Sequence, residues 1–137
     1  MNQPPRSATK RAMSTAGENF ARAIVAKDGA ALRAVLSDAI DFQALTPGRL
    51  FAAENGNEVA LEIILGTWFG RARIDELCWV VTGRVADQEY VGYRFRLHAG
   101  DDDYLLEQQA YYRQADDGRI AWMRVLCSGY QPLPALS

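Results

Sequence analysis

The sequence predicts an α+β domain in which helices cover one face of a mainly antiparallel sheet. Three observations carry this. Apolar residues recur at helical spacing only in the first half of the chain. Four long strand-like runs follow, at 73–85, 89–99, 104–114 and 119–128. The connectors between those runs are short and rich in turn formers, which makes successive strands hairpin partners and the whole set a meander. Helices segregated to one face of such a sheet are the stable α+β arrangement.

Taken in order, residues 1–13 are polar, contain two prolines and are expected to form a flexible tail. Thr15-Ala16-Gly17-Glu18 fits a capping box, with Thr15 bonding forward and Glu18 reaching back, although a helix start near Ser7 is also open. Ala16, Phe20, Ala23 and Ile24 give this first helix its apolar stripe. Asp28-Gly29 should end it, and Asp28 should cap a second short helix that buries Leu32, Val35 and Leu36. A strand is predicted at 40–45, stopped by the turn Thr46-Pro47-Gly48, and another at 49–53. Asn57 should cap a third helix whose apolar face holds Ala60, Ile63, Ile64 and Trp68. Gly70 suits a left-handed position after its last turn. The domain is placed at 14–130, with a tail at 131–137.

Composition narrows the possibilities. A chain of 137 residues is expected to form one domain and can bury a core without staples. With 49% hydrophobic residues, 23% charged residues and a net charge of −2, it lacks the basic footprint of a nucleic-acid binder. No apolar run approaches the ~20 residues of a membrane span, and the N-terminus shows no secretory signal, so a cytoplasmic location is expected. Cys78 and Cys127 sit in apolar stretches and read as reduced, buried thiols. Two cysteines and the single His98 make no zinc spacing, and Asp101-Asp102-Asp103 lacks the spaced ligands of a calcium loop. No metal and no cofactor is expected.

Three segments resemble the nuclear transport factor 2-like superfamily, in its branch of SnoaL-like and ketosteroid-isomerase-like proteins. Residues 20–32 (FARAIVAKDGAAL) look like the first helix, tight turn and second helix of that group. Asp116-Asp117-Gly118-Arg119-Ile120 looks like its last-hairpin turn. Cys127-Ser128-Gly129-Tyr130-Gln131-Pro132 resembles an ending of uncharacterised bacterial members. The resemblance covers about 14–130. It implies a cone-shaped α+β barrel of the cystatin-like kind: three N-terminal helices on a strongly curved, mainly antiparallel sheet with a conical pocket. It also implies dimerisation through the outer sheet face. The isomerase's tyrosine, carboxylate base and protonated aspartate align with Phe20, Gln43 and Ala110, so its proton shuttle and oxyanion donors are absent.

Strand alternation assigns the faces. Val91, Tyr93, Phe95 and Leu97 should point inward, with Arg94, Arg96 and His98 outward. Tyr104, Leu106, Gln108, Ala110 and Tyr112 should also point inward, leaving Glu107 to meet Arg94 or Arg96. Ala121, Met123, Val125 and Cys127 alternate with Trp122, Arg124, Leu126 and Ser128. The run 73–85 stays ambiguous: Leu77, Trp79 and Val81 share one face, and Glu76, Cys78, Val80 and Thr82 the other. The expected pocket lining is Gln43, Phe51, Trp68, Tyr93, Gln108, Tyr112, Met123 and Cys127, a mostly apolar set suited to a small apolar or aromatic molecule. Tyr93 and Gln108 must bond each other, water or a ligand, because a buried polar group without a partner is costly. Glu76, if inward, and Tyr93 are the candidate catalytic groups. Trp79, Val81, Trp122 and Leu126 are the expected homodimer face. Three functions stay open: a binder of a small apolar molecule; an isomerase, dehydratase or polyketide-cyclase-type enzyme; and a dimeric interaction module without catalysis.

Overall fold

The structure, a computed structural model, describes residues 15–133. The expected N-terminal tail, the alternative helix start near Ser7 and residues 134–137 lie outside the described residues.

Helix α1 spans Ala16–Val25. Thr15 Oγ1 accepts a hydrogen bond from the Glu18 N–H at 3.0 Å, satisfying one of the free donors of the first turn. The reciprocal half of the capping box is not made. Glu18 instead accepts from Arg22 Nε, one turn on, at 3.0 Å. Phe20, Ala21, Ala23 and Ile24 are buried, and α1 lies against the strands that begin at Arg73 and Gln88. The reversal after α1 is made by Lys27 at φ 51°, not by Gly29, which is already the first residue of α2, Gly29–Val35. Asp28 caps α2 as expected, accepting from the Ala31 N–H at 3.0 Å.

Strand β1, Leu36–Thr46, starts directly from α2 and turns through Pro47-Gly48 into β2, Arg49–Asn55. Helix α3, Glu58–Trp68, is wound in the wide π manner. Phe69 N–H bonds to the Ile64 carbonyl and Thr67 Oγ1 to the Glu62 carbonyl, both five residues back, at 3.0 and 3.1 Å. Its cap is Asn55, whose Oδ1 accepts from Glu58 N–H at 3.1 Å. Asn57, the expected cap, makes no such bond. Gly70 is not left-handed. It is needed for space, because an added Cβ would stand 2.3 Å from the Gly66 carbonyl oxygen.

Strands β3 (Arg73–Val85), β4 (Gln88–Ala99), β5 (Asp102–Gln114) and β6 (Ile120–Cys127) form the expected meander. Gln131–Pro132, placed at sequence level in a tail, add a two-residue strand β7 beside β5. The sheet order is β2-β1-β6-β5-β4-β3. Only β1 and β6 pair in parallel; every other pair is antiparallel. The result is three helices on one face of a curved, open, mostly antiparallel sheet. Among the described residues, no helix is long and apolar enough to cross a membrane.

The ambiguity of β3 has a structural cause. Its register with β4 slips twice, between Ile74 and Glu76 and again between Leu77 and Trp79. Each slip puts an extra residue, Asp75 and then Cys78, into β3 and reverses the alternation. Ile74, Leu77 and Val80 therefore all pack on the core, although no period of two connects them. In β4, β5 and β6 the alternation holds without interruption from Val91 to Leu97, from Leu106 to Tyr112 and from Met123 to Cys127.

Candidate functional site

The concave face of the sheet is filled for most of its depth. Phe20 from α1, Tyr93 and Phe95 from β4, Tyr112 from β5 and Met123 from β6 are all buried in one cluster. Tyr93 and Phe95 stack with ring centres 4.9 Å apart, and Phe20 tilts against Tyr93 at 6.3 Å. Tyr112 is committed to structure: its Oη accepts from the Gly17 N–H at 2.9 Å, satisfying a donor of the first turn of α1.

Two polar side chains in this interior leave a buried donor without a partner among the described residues. The Tyr93 hydroxyl donates to Gln108 Oε1 at 2.5 Å, so the two side chains bond each other. Gln108 is 1% exposed, and its Nε2 has no partner among the described residues. The indole Nε1 of Trp68 is likewise buried and unpartnered. An orphaned buried donor costs roughly 1–3 kcal/mol. Burial pushes the Tyr93 phenol well above its ordinary range, with a smaller push from Cys127. It stays protonated at neutral pH and serves as a donor, not as a base.

Free space opens at several places on the surface, and one of these adjoins the buried aromatic cluster. A cavity of about 450 Å³ is bounded by Phe51 and Arg49 of β2, Trp68 at the end of α3, Leu106 of β5, and Cys127, Ser128 and Tyr130 at the end of β6. Phe51 meets Trp68 edge to face at 5.6 Å. Tyr130 Oη donates to the Trp68 carbonyl at 2.5 Å and so holds the end of α3 over this opening. Burial raises the Tyr130 phenol as well. Gly129, at φ 74°, turns the chain against Pro47, where a Cβ would lie 2.8 Å from the proline Cγ; the rim therefore needs glycine both for conformation and for room. Gln108 adjoins this space through its ladder partner Cys127 and its same-face neighbour Leu106, both of which line it.

The expected lining divides into three groups. Phe51, Trp68 and Cys127 surround the open cavity. Tyr93, Gln108, Tyr112 and Met123 lie deeper, packed in the core. Gln43 is a correction: it stands exposed on the outer face, because Ile40, Phe42 and Ala44 are the buried residues of β1. Glu76, a candidate only if inward, is turned outward by the bulge at Asp75 and stands exposed opposite Arg96. Among the described residues, Gln108 is the one buried polar side chain that is not aromatic, so no carboxylate faces the core. Arg49, Leu106, Ser128 and Tyr130 were not expected here. Leu106 and Tyr130 carried a signal, the first in its strand face and the second in the distinctive ending 127–132; Arg49 carried none, because a lone arginine at a strand start is ordinary.

The outer face has a different chemistry. Leu126 is 59% exposed, and Val81, Trp79, Leu45, Leu50 and Tyr111 are exposed with it. Trp122 is not open: Arg113 and Arg124 cover its ring from 4.2 and 4.6 Å. Glu107 pairs with Arg94 across the β4–β5 ladder, with Arg94 Nε at 2.7 Å. His98 Nδ1 meets Asp103 at 2.8 Å near the strand ends, and neither residue lines the cavity.

No family model matches the chain, and no curated protein matches it. Solved structures do. An LEH-like epoxide hydrolase of M. tuberculosis superposes with a TM-score of 0.60 at 20% identity, over 82% of this chain and 80% of that one. A ketosteroid isomerase-like protein of Erwinia carotovora atroseptica gives 0.56 at 22%, over 82% and 90%. An uncharacterised bacterial protein with a cystatin-like fold, from Silicibacter pomeroyi, gives 0.51 at 15%, over 86% and 77%. At these identities the likeness is one of fold.

Proposed function

Since the chain has the nuclear transport factor 2-like fold, we propose that it binds a small, mostly apolar molecule at the open end of its cone. One observation carries the reading. Two buried donors, Trp68 Nε1 and Gln108 Nε2, lack partners, and both belong to residues that line or adjoin a cavity of about 450 Å³. That volume lies within the range of small-molecule sites. Aromatic walls with a few donors fix a ligand's orientation while apolar burial supplies most of its affinity. Binding is favoured over catalysis because Glu76 faces away from the cavity and the Tyr93 phenol is already engaged. Isomerase, dehydratase or cyclase chemistry on this scaffold would need a proton acceptor that its own inner face does not supply among the described residues.

Native mass spectrometry of the purified chain tests this. The expected result is a bound small molecule that is lost on denaturation, or one acquired from an apolar metabolite mixture and lost in Trp68→Ala. A chain that stays bare in both settings overturns the reading. The exposed Trp79, Val81 and Leu126 favour a second property, a homodimer formed through the outer face of the sheet.

A further inference from the structure

Polar groups around the mouth are unequally matched. The acceptors there are occupied from within the chain: Tyr130 donates to the Trp68 carbonyl, Thr46 Oγ1 donates to the Arg49 carbonyl at 3.0 Å, and Ser128 Oγ donates to the Gly129 carbonyl at 2.7 Å. The hydroxyl donors are engaged in the same bonds, but two buried donors nearby, Trp68 Nε1 and Gln108 Nε2, have no partner among the described residues. Arg49 is the one charged residue that lines the cavity, and no carboxylate approaches it within ion-pair distance among the described residues. Its guanidinium carbon lies 4.0 Å from the centre of the Phe51 ring, and its N–H groups make no hydrogen bond among the described residues. No Asp or Glu lines this space, so the local charge is positive in a chain whose overall charge is −2.

We infer that the mouth selects an amphipathic organic anion: an aromatic or acyl body against Phe51, Trp68 and Leu106, with a carboxylate at Arg49. A planar guanidinium matches a carboxylate through two parallel hydrogen bonds. The inference rests on the small-molecule reading above and narrows it to a charge class.

A matched pair of probes tests it on the full chain. 2-Naphthoate and 2-naphthalenemethanol share a ring system and differ in the head group. Binding is followed by the indole N–H resonances of 15N-labelled protein, the Trp68 signal being assigned by its loss in Trp68→Phe. The expected result is that naphthoate binds at least about fivefold more tightly than the alcohol, with the preference shrinking as salt rises. In Arg49→Gln, an exposed site whose change leaves the core intact, naphthoate loses its advantage over the alcohol. Equal affinities in the unaltered chain, or a preference that survives Arg49→Gln, overturn the anion inference and leave the small-molecule reading standing. If neither probe moves the Trp68 signal, both readings fall.

Discussion

Gly17 and Tyr112 meet where α1 enters the concave face of the sheet, and their contact leaves no slack. A Cβ at position 17 would lie 2.8 Å from both the Tyr112 hydroxyl oxygen and the Val91 Cβ. Gly17→Ala, normally favourable inside a helix, is therefore expected to lower stability by roughly 1–3 kcal/mol, measured by urea denaturation. A gain would mean that α1 sits farther from the sheet than described. Tyr93 makes a prediction about pH. Its buried phenol titrates well above the unfolded value near 10, and the Tyr112 and Tyr130 phenols are raised as well. Above pH 10 the unfolded chain loses these protons while the folded chain keeps them, so stability is intact below that pH and falls as pH rises beyond it. Each tyrosine adds a slope of up to about 1.4 kcal/mol per pH unit. Tyr93→Phe should cost about 1 kcal/mol at pH 7, because Gln108 Oε1 loses its donor, and should flatten the alkaline fall by one tyrosine's share. An unchanged alkaline slope in that variant would show that Tyr93 is not buried as drawn.

At the scale of the elements, two residues other than glycine hold positive φ among the described residues, and they should respond oppositely to glycine. Ala86, at φ 56° in the β3–β4 hairpin, pays a steric cost with no visible return. Ala86→Gly should raise Tm by roughly 1–4 °C. Lys27, at φ 51° after α1, has a return: its Nζ donates to the Phe69 carbonyl at 2.6 Å and to the Ala72 carbonyl, tying the first helix to the end of α3. Lys27→Gly should lower Tm despite the relief of strain. Calorimetry on the two variants checks the pair. The same elements show what could be read from the sequence. In β4, β5 and β6, unbroken pleating made alternation sufficient, and it put Tyr93 beside Gln108 and Glu107 beside Arg94. In β3 the rule could not work, because bulges at Asp75 and Cys78 each reverse it, and bulges are set by register with β4 rather than by local composition. Gln43 is a different case. The alternation Ile40, Phe42, Ala44 points it outward, and only its alignment with a family landmark suggested otherwise. The mouth was harder to see, since it forms from β2, the end of α3, β5 and the end of β6, segments that only the tertiary fold brings together.

For the whole molecule, the proposed dimer concerns the outer sheet face. Light scattering should give twice the chain mass, and Leu126→Glu, which places a charge on an already exposed position, should give the monomer without loss of fold. A monomer in the unaltered chain ends that proposal. The strand order has a consequence of another kind, in how the chain is made. The last long strand, β6, is inserted between β1 and β5, so residues from opposite ends of the sequence become neighbours, such as Phe42 and Met123. Until residues 120–127 leave the ribosome, β1 with β2 and β3 with β4 and β5 are two half-sheets, each with an open apolar face and an unpaired edge. The sheet of this domain cannot close before β6 has been made. Refolding should be slow for a chain of this length, because closure waits on contacts between residues about 80 apart in sequence, and a chain stopped at residue 119 should show no cooperative unfolding at all. Before β6 exists, each half-sheet presents an open edge and an apolar face, the two features through which unfinished sheets pair with the wrong neighbour.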